Sequence, residues 1–445
     1  MKTDQSIFIS IASYRDAELV PTLLDMVENA HQPASLKIAV CWQHDDDETI
    51  FNVPGITFVK KTTHNGLDLY TFKCKGARIN VLSVHYCQSR GACWARHLAE
   101  SLYQGEDYFL QIDSHCRFVD KWDAEMVTIL ENLRHQSEKP ILSTYPPGYE
   151  PDVEDSKKYF TNRLIFREFT QDGLIMLSST TINAEAPVRG SYLAGGFVFA
   201  DGSYVVDVPN DPNIFFAGEE IAMAARAFTH GYDVYTPHKI LLWHYYERQN
   251  SSKVWGDHSN EAKQSGIVEK AWWEWDKISK SRVRTVLGLE NPPCDLGPYA
   301  HGTKRTFRDF ENTIGALFQS SSVRPEVTGK ELVSYFSPQA CLAEGWLDGM
   351  VHPNKKTVSF TSEELAYSEP DIAWWHVGVY SEENVQLNKQ TLKKDEIEAL
   401  LKKQGDDTIQ LSLKFDSQPD QKPHVIRVCP FFETQGWGET VEKSW

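Results

Sequence analysis

This chain of 445 residues has no run of 18 apolar residues, so no transmembrane helix is expected. Its first residues, Met1-Lys-Thr-Asp-Gln, lead into a short apolar stretch, Ile7–Ala12, too short for the apolar region of a signal peptide. Cysteine is sparse and unpatterned, with eight residues and no CxxC pair. Cys87 and Cys93 do not have the spacing of a zinc site. We read the eight as reduced thiols, and the expected location is cytoplasmic. Basic residues are outnumbered, 45 Lys and Arg against 62 Asp and Glu, for a net charge of −17. That balance argues against a nucleic-acid partner, which would call for a basic stripe. An anionic substrate stays open, because a bound cation can invert the local field. There is no internal repeat and no low-complexity tract.

What the chain does have is an ordinary globular composition, 41% hydrophobic and 24% charged, with 13 Trp, 18 Tyr and 22 Phe. Its length suits one large domain plus a smaller one. Ile7-Phe-Ile-Ser-Ile-Ala12 reads as a buried parallel strand. Leu19, Leu23, Leu24, Met26 and Val27 recur at helical spacing, and Leu36–Trp42 reads as a second strand. Strand, helix, strand is a βαβ unit and implies a parallel sheet. His64-Asn65-Gly66 marks a turn between further strands. A helix opens near Ser89-Arg90-Gly91-Ala92, and another spans Trp122–Leu133. From about residue 330 the pattern changes to short β-type runs, Thr357–Phe360, Ile372–Val379, Thr408–Phe415 and His424–Val428, with one charged helix. The expected organisation is an α/β domain over 1–329 and a mostly β appendage over 330–445.

The chemistry is densest at Tyr108-Phe-Leu-Gln-Ile-Asp-Ser-His115. Tyr108–Ile112 reads as a buried strand. On extended backbone, residues i and i+2 face the same side, so Asp113 and His115 leave the strand end together. A carboxylate and an imidazole suit a divalent cation such as Mn²⁺ or Mg²⁺, with positions left for water and phosphate. His244, at the end of the apolar run Leu241–His244, is the best third ligand. Arg248, four residues on, is placed to clamp a diphosphate. Arg90 and Arg96 flank a glycine at a helix start, an arrangement that favours phosphate. Ser13, Tyr14 and Arg15 end the first strand, where a nucleotide base and ribose would sit in an open α/β sheet. Glu219 and Glu220 open a helix after Gly218; adjacent helical residues lie about 100° apart, so one of the two should face a cleft.

Taken together and in order, Ile9-Ser-Ile-Ala-Ser-Tyr-Arg-Asp16, Gly91-Ala-Cys-Trp-Ala-Arg96, Leu110–His115, Val208-Pro-Asn-Asp-Pro212, Gly218-Glu-Glu220 and His244-Tyr-Tyr-Glu-Arg248 resemble the cytosolic polypeptide α-N-acetylglucosaminyltransferases. The resemblance covers roughly residues 5–320. It implies a GT-A fold, a divalent cation on Asp113, His115 and His244, UDP-GlcNAc as donor, and retention at the anomeric carbon. The acceptor stays open between a protein hydroxyl (hydroxyproline, Ser or Thr) and a glycan. An inverting route would need Glu219, Glu220 or Asp211 as base. Two other classes use the same residues: a metal-dependent phosphohydrolase, and a carbohydrate-binding protein with a degenerate transferase domain.

Overall fold

The structure, a computed structural model, describes residues 5–45, 48–249, 251–404 and 408–445. The chain forms two compact units, one from 1–318 with 332–341 and the other from 319–331 with 342–445. It crosses between them after 318, 331 and 341, where the sequence reading has a single cut at 329/330.

The larger unit is built on a ten-stranded mixed sheet. Strand β1 is Ile7–Tyr14, two residues longer than the predicted run Ile7–Ala12 and central as that run predicts: it pairs in parallel with β2 (Leu36–His44) and with β6 (Tyr108–Asp113). Ile7, Ile9 and Ile11 are buried on one face of it, each such side chain contributing about 1.5–3 kcal/mol by leaving water. The crossover helix α1 (Leu19–Glu28) buries Leu19, Leu23, Met26 and Val27 in the same core. Outside β2, the antiparallel strands β3 (Thr57–His64) and β4 (Leu67–Cys74) extend the sheet through β5 (Ala77–His85), which is parallel to β2. Asn65 and Gly66 turn β3 into β4 with φ of 48° and 81°, the left-handed pair that a two-residue hairpin loop requires. Helix α2 (Ala92–Glu100) returns the chain to β6.

Past β6 come the short β7 (Cys116–Phe118), helix α3 (Trp122–Asn132) and β8 (Pro140–Ser143). A separate antiparallel pair follows, β9 (Thr161–Phe169) with β10 (Ile175–Ile182). After β11 (Val188–Arg189), strand β12 (Phe197–Asp201) enters the main sheet antiparallel between β6 and β8. Helices α4 (Tyr204–Asp207) and α5 (Glu219–Thr229) lead to β13 (Asp233–Thr236), parallel to β8. The order β11-β13-β8-β12-β6-β1-β2-β5-β4-β3 is an α/β sheet of GT-A type, in which β4, β11 and β12 run against the other strands. Last, β14 (Leu242–His244) pairs antiparallel with β7, setting His244 opposite Cys116.

The smaller unit has its own core of Trp375, Val377, Val379, Leu411, Leu413, Ile426 and Val428. Strands 352–361 and 408–417 pair as one hairpin-like sheet, and 372–381 and 423–432 are central to a five-stranded one. The expected β character of this region is present. No helix among the described residues is long and apolar enough to cross a membrane.

Candidate active site

A cleft of about 790 Å³ opens at the carboxyl ends of β1 and β6, the position where open α/β sheets bind ligands. Tyr14, Asp16, Arg96, Asp113, His115, Glu219, Glu220, His244 and Arg248 all line it.

The sheet and the β7–β14 ladder bring three ligand-type residues to one point. Asp113 ends β6, His115 follows it, and pairing with β7 carries His244 in from the far end of the unit. Ligand atoms of Asp113, His115 and His244 all lie within 4.8 Å of one another. The His244 Nε2 is 3.1 Å from Asp113 Oδ2, and His115 Nε2 is 4.0 Å from the same oxygen. Burial alone would raise the Asp113 carboxyl; the His244 hydrogen bond and the Arg96 charge outweigh it and hold it well below the usual carboxylate range. Burial pushes the His244 imidazole down, so it stays neutral.

The tautomer of His115 follows from its neighbours. Arg248 Nη1 lies 3.2 Å from His115 Nε2, and a guanidinium only donates, so Nε2 carries the lone pair. Nδ1 then holds the proton and donates to Asp16 Oδ2 at 2.7 Å. The same Asp16 oxygen accepts from Ser114 Oγ at 2.6 Å and pairs with Arg248 Nη2 at 3.0 Å. An anionic oxygen and two neutral imidazoles, one oriented by a carboxylate behind it, fit a divalent cation. Three ligands leave positions for a substrate.

The carboxylate itself is held from behind. Arg96, 3% exposed, reaches Asp113 Oδ1 at 3.2 Å and Glu219 Oε1 at 3.0 Å. Cys93 Sγ donates to the other Glu219 oxygen at 3.1 Å. Glu220 has neutral partners instead, accepting from Tyr145 Oη at 2.5 Å and from the Gly195 N–H at 2.9 Å. Burial pushes its carboxyl up to about 7. Gly195 and Gly196 are required by crowding. A Cβ on Gly195 would collide with Glu219, and one on Gly196 would stand 2.7 Å from Asp113 Oδ2.

Arg96 lines the cleft with its guanidinium buried between two carboxylates. Arg90 is outside the cleft lining, 3.3 Å from Glu269 and stacked over Trp275. The helix start they flank is occupied as well: the Ala92 N–H donates to Phe215 O at 3.0 Å. Gly91 takes φ 100°, and a Cβ there would run into Phe215. Ser13 is buried in the sheet, its carbonyl accepting from Gln43 Nε2. Arg15 pairs with Asp45 and Asp257, both at 3.0 Å, leaving Tyr14 as the residue of that strand end that lines the cleft. Asp211 is buried against Arg282 and lies outside the cleft lining.

Sequence reasoning missed Asp16, Tyr145 and Lys253. Asp16 sat in the strand-end segment already singled out, and a carboxylate beside a parallel-strand terminus was the available signal. Lys253 lines the cleft, its ammonium pushed down by burial and by Arg248; no spacing marked it.

The cleft, the Asp-x-His strand end and the mixed α/β sheet are those of a glycosyltransferase. Within that class the chain belongs to the glycosyltransferase (GlcNAc) family, whose model matches residues 6–318. No curated protein matches the chain. Among solved structures it is similar to GalNAc-T7 with UDP, GalNAc and Mn²⁺, at 12% identity and TM-score 0.44, over 71% of this chain and 57% of that one. It is also similar to S. aureus TarS, at 9% identity and TM-score 0.34, over 99% of this chain and 77% of that one. A third is the mannosyltransferase PcManGT from Pyrobaculum calidifontis in complex with GDP-Man and Mn²⁺, at 12% identity and TM-score 0.34, over 56% and 59%. The chain thus spans little more than half of the GalNAc-T7 chain it matches.

Proposed function

We propose that this protein transfers GlcNAc from UDP-GlcNAc, with retention, to a hydroxyl of a protein or glycan acceptor, as a member of the cytosolic polypeptide α-GlcNAc transferases. The observation that carries the reading is the Asp113–His115–His244 cluster at the end of β6, within the stretch that matches the family. These three residues would hold Mn²⁺ or Mg²⁺. When bound, the cation would supply positive charge to the diphosphate as it departs, an effect worth several kcal/mol. The eight cysteines are unpaired, which supports a cytoplasmic, reducing setting.

The chain's own residues divide the remaining work. Tyr14 and Gln43 line the cleft at the β1–β2 side, where a base and ribose would lie. Arg248 and Lys253 put two cations beside the cluster, suited to phosphate oxygens. Glu219 is neutralised by Arg96, which leaves Glu220 as the carboxylate open to the acceptor. With its carboxyl near neutrality, Glu220 can accept a hydrogen bond from an acceptor hydroxyl and orient it. Retention needs no protein nucleophile if the acceptor proton leaves with the diphosphate on the same face.

The test is UDP release from UDP-GlcNAc with Mn²⁺, compared with UDP-GalNAc and UDP-Glc, for wild type, Asp113→Ala, and wild type with EDTA. Release that needs both the metal and Asp113, and favours UDP-GlcNAc, is expected. Release from folded protein that persists in EDTA or in Asp113→Ala would sink the metal reading, and a preference for another sugar would sink the donor assignment.

A further inference from the structure

Strand β10 reads Ile175-Met-Leu-Ser-Ser-Thr-Thr-Ile182, without a charge, a proline or a glycine. Among the described residues it has one ladder neighbour, β9, and its other edge is unpaired. Proteins ordinarily blunt such an edge with lysine, proline, a bulge or brevity, because an open edge recruits another backbone. This one is eight residues long, and its single register shift lies between Met176 and Leu177. That irregularity sits at the cleft: Ile175, Met176 and Leu177 line it, as do Thr170, Gln171 and Asp172 of the connecting turn. Beyond it, residues 178–182 run in regular register with β9, and none of them is buried. An open, uncharged edge therefore starts at the catalytic cleft and continues for about 17 Å, at about 3.3 Å per residue.

We propose that β10 is the docking strand for the acceptor, and that the acceptor is an extended polypeptide rather than a glycan. The proposal rests on the transferase reading above. Every second N–H and C=O of the strand points away from β9. Only another peptide backbone repeats donors and acceptors at that spacing, and strand addition of this kind takes its affinity from the backbone and its selectivity from alternate side chains. The uncharged Ser and Thr side chains impose no electrostatic demand on the incoming sequence. A segment laid along 178–182 enters the cleft at its Leu177 end and presents a side-chain hydroxyl there. The acceptor oxygen then forms a bond to C1 as the bond from C1 to the diphosphate oxygen breaks, and the hydroxyl proton leaves with UDP.

Binding is measured without donor, so a failure of UDP release counts against the transferase reading alone. The probes are a pool of short peptides, each with one central Ser, Thr or 4-hydroxyproline, and chitotriose as the glycan. The full chain is incubated with each, and hydrogen exchange is followed at the amides of 176–182. The best peptide is then resynthesised with single backbone N-methyl groups along its length. The expected result is slowed exchange in β10 with peptide only, and an affinity loss of about tenfold at alternate N-methyl positions, consistent with removing one backbone hydrogen bond together with its steric fit. The proposal is overturned by exchange at β10 that no peptide in the pool slows, by equal loss at every methylated position, or by chitotriose protecting the same amides. Concentration-dependent protection of β10 without any probe, meaning self-association, also overturns it.

Discussion

His115 Nδ1 and Asp16 Oδ2 stand 2.7 Å apart, so a carboxylate from the end of β1 sets the tautomer of an imidazole just past the end of β6. The nitrogen left with a lone pair is the one that faces Asp113. Replacing Asp16 with Asn removes that bias while keeping the shape. We expect Asp16→Asn to weaken Mn²⁺ binding by about 10–100-fold, the usual effect of losing a carboxylate behind a metal-binding histidine. Titration calorimetry with Mn²⁺ alone reads this directly, and unchanged affinity would mean that His115 is not a ligand.

Arg96 joins two carboxylates at 3.2 and 3.0 Å and is itself almost fully buried. Arg96→Leu leaves Glu219 buried with no cation beside it, which costs about 3–5 kcal/mol. The double variant Arg96→Leu/Glu219→Leu should recover part of that loss, because Glu219 is no longer left charged and unpaired, while Asp113 loses its arginine in both variants. Urea unfolding of the two variants makes the comparison. A double variant no more stable than the single one would show that Arg96 acts by packing, not by pairing.

Gly196 leaves room for a carboxylate rather than for a turn. A Cβ at this position would lie 2.7 Å from Asp113 Oδ2, so Gly196→Ala must displace that oxygen. The expected outcome is Mn²⁺ affinity reduced about tenfold, within the range for disturbing a ligand's support, with little change in melting temperature. A large fall in melting temperature would instead place the strain in the backbone.

Glu100, the last residue of α2, is buried and accepts from the Asn210 N–H at 2.9 Å and from its Nδ2 at 2.6 Å. Burial pushes its carboxyl up from 4.5 to about 7. The folded state therefore binds a proton more tightly than the unfolded chain does. This group's contribution to stability is full below pH 4.5 and is lost as pH rises to about 7. Glu220 adds a slope of the same sign. Urea midpoints across that window should fall with rising pH, and the fall should be smaller in Glu100→Gln than in wild type. Parallel curves would exclude Glu100 as a source.

How far the sequence could be read depended on whether a signal was local. The central strand Ile7–Tyr14, the βαβ start and the Asn65-Gly66 turn follow from runs and turn residues that need no distant partner. Asp113 and His115 were legible together because strand geometry alone puts them on one side. The partners of the two arginines were not legible, because a helix start tells where a side chain leaves the backbone, not what meets it. Arg96 is met by Glu219 from α5, and the Ala92 N–H by Phe215. The pairing of Asp211 with Arg282, from a helix far along the chain, was likewise out of local reach. Only one of Glu219 and Glu220 was expected to face the cleft, yet both line it; what separates them is Arg96 on the one and Tyr145 on the other, partners that an adjacent pair does not reveal.

The β7–β14 ladder also orders events during synthesis. His244 and Asp113 are 131 positions apart, and the strand that carries His244 has only three residues to pair with. Closing so long a loop is entropically costly, so β14 must rely on a sheet already assembled around β1 and β6. A nascent chain that has passed β6 but not reached Leu242 owns two of three ligands and no enclosed cation site. Tight metal binding at these three residues would therefore report that β14 has docked, and a chain released before Leu242 would be distinguishable by its inability to retain the ion.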